Sequence, residues 1–235
     1  MDLIKRIDDS IELNAPDEHR RYIGGSGVGD ECSRKIWYSF QGVKSKPLTA
    51  KQRRIFETGH RLEEMVKDYI EEAGFKLVRT SVLYKGEPDP LFCQDDEVKI
   101  FQGHCDGLLY LTDNHIVLLE IKTANRDEYK KFVDIGVKGW KPIYYYQLIS
   151  YMGMKKLKNA FIIVLNKDNG DWSGEWVEYD DIVYSELKLK AVTISNSEEE
   201  PKRINDNPCY WLCQMCRYKE VCHSSPQKQT IDQVA

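Results

Sequence analysis

The sequence predicts an α/β fold, a mixed β-sheet flanked by helices. Three observations carry that expectation. Apolar residues recur at helical spacing between Ile55 and Gly74. Runs rich in β-branched and aromatic residues follow at 76–84, 98–110 and 116–122, and again at 160–165 and 172–179. Between these two groups of strands lies a second helical stretch. The order helix, antiparallel strands, helix, strands suits a mixed sheet with helices on its faces.

The elements follow in order. The first twenty residues are polar and are expected to be loosely held. The stretch Gly24–Asp30 reads as a flexible loop. It lacks the Gly-Lys-Ser/Thr ending of a phosphate-binding loop, and no apolar strand precedes it. Glu31–Phe40 reads as a short helix carrying Ile36, Trp37 and Phe40. In the long helix, Leu62, Met65, Val66, Tyr69, Ile70 and Ala73 form the apolar stripe, and Gly74 ends it. Strands are expected at Lys76–Tyr84, Val98–Tyr110 and Ile116–Lys122, the last two joined through Thr112-Asp113-Asn114-His115. A helix over Ile143–Lys156 precedes a buried strand, Ala160–Leu165, and its partner, Trp172–Tyr179. Ser195–Asn207 is polar and reads as a linker or solvated loop that delivers the chain to a cluster of cysteines.

Composition limits the function. The chain has 235 residues, enough to bury a core without disulfides. The longest clean apolar run is Ala160–Leu165, whereas a membrane span needs roughly 20 residues, so none is expected. The N-terminus has no apolar stretch of signal-peptide length, which points to a cytoplasmic protein. A net charge of -4 excludes a basic coat over the whole surface but not a local patch.

The predicted hairpin carries the first chemical signal. Asp106 lies on one arm, and Glu120-Ile121-Lys122 lies on the other. Glu120 and Lys122 are two apart, so they share one face of a strand, while Leu119 and Ile121 point the other way, towards a core. Pairing of the arms brings Asp106 beside Glu120. Two carboxylates at one spot repel each other and suit a hard cation with oxygen ligands, Mg²⁺ or Mn²⁺. A neighbouring lysine can orient a water or stabilise charge in a phosphoryl transition state.

Two helices add to this site. On the long helix Glu63 falls roughly 90° from the centre of the apolar stripe, at its border, and Glu64 falls on the solvent side. A border carboxylate can turn into a cleft, although an i,i+4 pair with Lys67 is the plain alternative. On the later helix Gln147 and Tyr151 are also i,i+4, an amide and a phenol on one face that could meet a phosphate or a base. Between Lys122 and Lys158 there are nine basic and three acidic residues, +6 in a chain of net -4. Trp140, Tyr144, Tyr145 and Tyr146 interleave with these bases, a composition that suits phosphate tracking and base stacking.

Four of the seven cysteines, Cys209, Cys213, Cys216 and Cys222, fall near the C-terminus. In a reducing compartment such clustering argues for a metal before a disulfide. Cys213, Cys216 and Cys222 could hold three corners of a site. Cys209, the distant Cys32 or, for zinc, His223 could supply the fourth. Spacing alone leaves Zn²⁺ and an iron–sulfur cluster both open. Cys93 and Cys105 show no ligand spacing.

Taken together, Cys32, Gly59 with Glu63, Asp106-Gly107, Glu120-Ile121-Lys122, Gln147 with Tyr151, and Cys213/Cys216/Cys222 stand in an order that resembles the PD-(D/E)XK nuclease superfamily. Within it the chain is most similar to RecB-like exonucleases with an iron–sulfur cluster, including CRISPR-associated and phage-encoded members. The resemblance runs from about Gly27 to His223 and implies a restriction-endonuclease-like core at 54–195. It further implies one nuclease domain, 1–235, in which 24–40 and 207–224 join as an iron–sulfur subdomain. It implies Cys32, Cys213, Cys216 and Cys222 as ligands of a [4Fe–4S] cluster. Glu63, Asp106, Glu120 and the Ile121 carbonyl would hold Mg²⁺ or Mn²⁺. Lys122 would be the catalytic lysine and Gln147 with Tyr151 the accessory motif, with Lys122, Arg126, Gln147 and Tyr151 meeting DNA. Two positions depart from the family. Cys105 stands where many members have proline before Asp106, and Glu63 stands where histidine is frequent, with His60 three residues earlier.

The function implied is a metal-dependent deoxyribonuclease, an exonuclease working from DNA ends in recombination, repair, replication or CRISPR adaptation. The setting would be a prokaryotic or phage-infected cytoplasm. The implied partners are DNA and a helicase, recombinase or integrase; the chain has no helicase motifs, so any unwinding would come from a partner. The alternatives are a non-catalytic DNA-binding protein with structural zinc, and an endonuclease on the same core.

Overall fold

The computed structural model describes residues 2–13, 21–79 and 89–224. Helices α1 (Leu3–Leu13), α2 (Ser33–Phe40) and α3 (Ala50–Glu72) alternate with strand β1 (Ile23–Gly24) and lead to β2 (Lys76–Val78). Strands β3 (Phe92–Gln94), β4 (Phe101–His104), β5 (Gly107–Thr112) and β6 (His115–Ala124) follow. Helices α4 (Arg126–Trp140) and α5 (Pro142–Lys155) precede β7 (Asn159–Asn166) and β8 (Trp172–Glu178). The chain continues through α6 (Asp181–Ser195), α7 (Trp211–Met215) and α8 (Lys219–Ser224).

The strands form two mixed sheets. The larger has the order β2-β5-β6-β7-β8, and the smaller has the order β1-β4-β3. β5 and β6 are antiparallel, joined by a tight turn in which Thr112 pairs with His115. β6 and β7 are parallel, a pairing that needs a long crossover. Helices α4 and α5 supply it. β6 is buried on both faces. Val117, Leu119 and Ile121 meet Val66 of α3 in one apolar cluster, with Leu62 and Met65 packed against it. Leu118 and Ala124 belong to the other cluster, built with α4, α5 and α6. The charged pair Glu120 and Lys122 therefore projects into a covered layer, not onto an open strand face.

The mixed α/β prediction holds, and several boundaries change. α3 starts earlier than expected because Thr49 and Gln52 form a capping box, each side chain serving the other's backbone N–H. Tyr69 is exposed, as is Ala73 just past the helix end, so the stripe narrows to buried Val66 flanked by half-buried Leu62, Met65 and Ile70. The single strand expected at Val98–Tyr110 is broken at Cys105-Asp106, and its halves lie in different sheets. The strand expected at Lys76–Tyr84 is seen at Lys76–Val78, and residues 80–88 lie outside the described residues. The N-terminal segment is not loose where it is described. α1 packs on α3, with Glu12 accepting from the Ala50 N–H at 2.8 Å. The Gly24–Asp30 loop is not open either, since Val28 is fully buried within it.

Helices α4 and α6 were not anticipated. α4 contains Gly136 at φ 67°, a break in its last turns that blurs the helical period. The Glu175 carboxylate accepts from the Val137 N–H at 2.7 Å just past the break. Among the described residues no helix is long and apolar enough to cross a membrane.

Candidate active site and cysteine pocket

Strand register assembles the carboxylates. The β5–β6 ladder ends with Gly107 opposite Leu119, so Asp106, one residue further out, stands across from Glu120. Its carboxylate extends the ladder, with Oδ2 accepting from the Ile121 N–H at 2.9 Å. In a strand the N–H and C=O of one residue face the same neighbour. The Ile121 carbonyl is therefore turned towards Asp106 as well.

Glu120 is completely buried, at 0% exposure. Its Oε1 pairs with the Lys122 ammonium and accepts from Gln147 Nε2 at 2.5 Å. Its Oε2 is buried with no hydrogen-bond partner. Burial first, then the nearby Asp106 charge, pushes the Glu120 carboxyl up to about 8 against the opposing pull of Lys122. Lys122 Nζ lies 3.9 Å from Asp106 Oδ2 and 5.1 Å from the centre of the Tyr144 ring. Burial works against its charge, but Glu120 and Asp106 outweigh burial and hold the ammonium above the ordinary lysine range.

Helix α3 brings Glu63 to the edge of this group. Burial and then the charge of Asp106 raise the Glu63 carboxyl, while Lys67 pulls it back. Lys67 is only 2% exposed, and its Nζ reaches Glu63 at 2.6 Å and Glu64 at 3.0 Å. The i,i+4 pair was legible in the sequence, but the burial of its lysine was not. His60 is exposed.

The face of α5 needs a correction. Gln147 and Tyr151 do share it, but both are buried, so neither presents a surface to DNA here. Gln147 spends its amide on Glu120. Tyr151 fills a space that exists because two neighbours lack a Cβ. One built on Gly25 would stand 2.5 Å from its Cε1, and one on Gly103 would stand 2.7 Å from its hydroxyl oxygen. The aromatic surface expected around Trp140 and Tyr144–Tyr146 is likewise core-facing. Trp140 and Tyr145 are buried, and Tyr144 and Tyr146 pack against the same cluster. Lys141 lies 4.5 Å from the Trp140 ring centre and Lys138 lies 4.8 Å from that of Tyr145. Arg126 is exposed at the start of α4, its N–H donating to Asp168 Oδ2 at 2.8 Å.

Three solved structures share this architecture. An alkaline exonuclease from Laribacter hongkongensis superposes with a TM-score of 0.55 at 16% identity, over 80% of this chain and 90% of that one. The complex of that exonuclease, LHK-Exo, with dAMP gives 0.56 at 17% identity, over 76% and 88%. A protein named SSO0001 gives 0.51 at 14% identity, over 96% of both chains. The chain has the restriction-endonuclease-like nuclease fold. No protein-family model and no curated protein matches the sequence.

The second assembly lies where the chain ends meet. Cys32, Cys213, Cys216 and Cys222 line one pocket, together with His223, Lys35, Arg203 and Lys219. Cys209 is exposed and lies outside it. His223 Nε2 is buried with no hydrogen-bond partner. The walls come from both ends of the sequence. Trp37 Nε1 donates to the Ser197 carbonyl at 2.9 Å, Lys46 and Arg217 exchange backbone and side-chain bonds, and the rings of Tyr38 and Tyr218 lie 5.4 Å apart. A third grouping was not anticipated. The buried thiols of Cys93 and Cys105 share the Leu91 carbonyl, at 3.3 and 3.6 Å.

Among the described residues no three His, Cys, Asp or Glu side chains converge to hold a single metal ion. The two assemblies still differ in what they would accept. Glu120 has a buried oxygen without a donor, next to Asp106 and the Ile121 carbonyl. All the donors are hard oxygens, and they fit Mg²⁺ or Mn²⁺. The four thiols line one pocket with His223, a soft donor set that either Zn²⁺ or an iron–sulfur cluster would accept.

Proposed function

We propose that the protein is a metal-dependent deoxyribonuclease acting as an exonuclease on DNA ends, with a [4Fe–4S] cluster in the cysteine pocket. The observation that carries the nuclease reading is the placement of Asp106 across from Glu120. Lys122 lies on the same strand face, and one Glu120 oxygen is buried without a donor. A buried carboxylate left half-satisfied, on a fold shared with exonucleases, is a group kept for a cation.

Asp106, Glu120, Glu63 and the Ile121 carbonyl would hold Mg²⁺ or Mn²⁺. A divalent ion there supplies Lewis-acid stabilisation of the phosphate and makes a bound water more acidic. The remaining tasks fall to the chain itself. Asp106 keeps its carboxylate aimed through its bond to the Ile121 N–H, and Gln147 fixes Glu120. Lys122 would orient the attacking water and stabilise the charge that develops on the phosphate. DNA reaches the site along exposed cations such as Arg126, while Gln147 and Tyr151 act from beneath. The thiol pocket ties residues 24–40 to 207–224 around the core 54–195. Its four cysteines lie together and Cys209 lies apart, which supports the cluster ligand set with Cys32.

The test uses end-labelled linear duplex, single-stranded and closed circular DNA with Mg²⁺ or Mn²⁺. Mononucleotides released from linear DNA only are the expected result. Cleavage of the circle would make the protein an endonuclease. Binding without cleavage, from a colourless protein with stoichiometric zinc, would leave a DNA-binding module instead.

A further inference from the structure

We infer that Arg34 is a positioning residue for the group held in the cysteine pocket, its guanidinium bonding the Cys222 sulfur and offsetting the negative charge that thiolates bring there. The inference rests on the cluster reading above.

Arg34 lies on α2, two residues after Cys32, and is only 6% exposed. Its Nε donates to the Pro201 carbonyl at 2.5 Å, and its Nη1 lies 3.2 Å from Glu200 Oε2 and 3.8 Å from Cys222 Sγ. Arg203 grips the same cysteine from the other side, its Nε and Nη2 donating to the Cys222 carbonyl at 2.9 and 2.5 Å. Two guanidiniums on one cysteine fix both its backbone and its sulfur. Lys35, itself paired with Asp30, and Lys219 line the same pocket.

Lys35 has Asp30 and Arg203 has Asp206 as partners, so the feature that calls for a further anion is the burial of Arg34 beside the Cys222 sulfur. A guanidinium taken out of water is destabilising unless it meets anions, and a half-buried Glu200 is only part of the answer. Four thiolates around a cluster carry net negative charge, and an N–H···S bond to one of them is charge-assisted. Such bonds withdraw electron density from the sulfur and favour the reduced cluster. The Arg34 fork also joins the N-terminal helix α2 to the loop at Glu200-Pro201 and to α8. The residue that tunes the group therefore also registers the two chain ends.

The test uses the full chain, purified without oxygen, in wild-type, Arg34→Met and Arg34→Lys forms. Iron content, visible spectrum and the midpoint potential from a redox titration followed by electron paramagnetic resonance are the readouts. Arg34→Met is expected to move the midpoint to more negative potential and to weaken iron retention against a chelator by about 10–100-fold. Arg34→Lys, which keeps the charge but loses the fork, should move both in the same direction and less far. An unchanged midpoint in either variant with its cluster in place overturns the inference and leaves the cluster standing. If Arg34→Met does not fold, Arg34→Lys alone decides. A colourless, zinc-loaded wild type overturns the cluster reading and this inference together, whatever the DNA-cleavage assay gives.

Discussion

The carboxylate site and the proposed cluster pocket would solve the same problem, gathering like charges, by opposite means. Glu120 sits on the ten-residue β6 and Glu63 on the 23-residue α3, with Asp106 directly before β5, and they are compensated from within by Lys122 and Lys67. The thiols sit on α7 and α8, of five and six residues, and at the edge of α2. Around the proposed cluster, Arg34 would offset their thiolate charge from outside. The difference teaches where rigidity comes from. The sheet holds the carboxylates whether or not a cation is bound, so their chemistry can be removed without the fold. Helices so short are marginal without tertiary support; contacts such as Trp37 with Ser197 and Lys46 with Arg217 supply part of it, and the proposed cluster would add the rest.

The largest expected effect follows directly. Asp106→Asn keeps the acceptor for the Ile121 N–H and removes one charge. Its cleavage rate should fall by about 10³-fold or more, with the melting temperature close to wild type. Asp106→Ala should lose the same activity and, in addition, strand a backbone donor, which costs about 1–3 kcal/mol of stability. Kinetics paired with thermal melts separate the two. Wild-type activity in the Asn variant breaks the assignment of this site.

The pocket should behave the other way round. Cys213→Ser is expected to lose the visible absorption and to open the C-terminal segment, read as rapid proteolysis between 196 and 210. DNA cleavage by the residual core should fall much less than in Asp106→Asn. Cys209→Ser should change nothing, because Cys209 is exposed and outside the pocket. Equal protease resistance in both serine variants would show that packing alone joins the chain ends.

These two regions were legible in the sequence to different depths. Strand alternation placed Glu120 and Lys122 on one face and Asp106 beside them, because a period of two fixes side-chain direction once pairing is known. The same pattern hid the break at Cys105-Asp106, since alternation continues through it while the two halves join different sheets. Cysteine spacing marked three thiols and left the fourth ligand open; the resemblance implied Cys32, and the fold places it in the same pocket. Lys67 and Arg34 were out of reach for another reason. Charged residues are almost never fully buried, and nothing local marks the exceptions. The aromatic stripe of α5 shows the limit of composition. Tyrosines among lysines suit a stacking surface, but here the rings fill a core and the lysines lie against them. Gly136, inside α4, removed the period that would have revealed that helix.

A titration sharpens the contrast further. In the protein without divalent cations, burial holds the Glu120 carboxyl near 8, above its ordinary 4.5. The folded state thus keeps a proton that the unfolded chain gives up. The resulting stabilisation is complete below about 4.5 and is lost as pH rises towards about 8. The difference in stability between Glu120→Gln and wild type should therefore grow in favour of Gln across that window. Denaturant unfolding at stepped pH measures it. A constant difference would mean that Glu120 stays ionised throughout, held by Lys122.

The smallest effect concerns how DNA arrives. Arg126 stands at the first position of α4, where the helix dipole disfavours a cation. Its backbone N–H is already satisfied by Asp168, and its exposed side chain has no structural task there. It follows β6 directly, a short distance along the chain from Lys122. A phosphate contact accounts for a cation in that place. Arg126→Ala should weaken DNA binding by a similar factor for every sequence and lower the slope of log affinity against log salt by about 1. The cleavage rate at saturating DNA should stay unchanged, because Arg126 touches none of the carboxylates. A salt slope equal to wild type would mark Arg126 as a solvated charge and shift the approach path of DNA towards the lysines of α4.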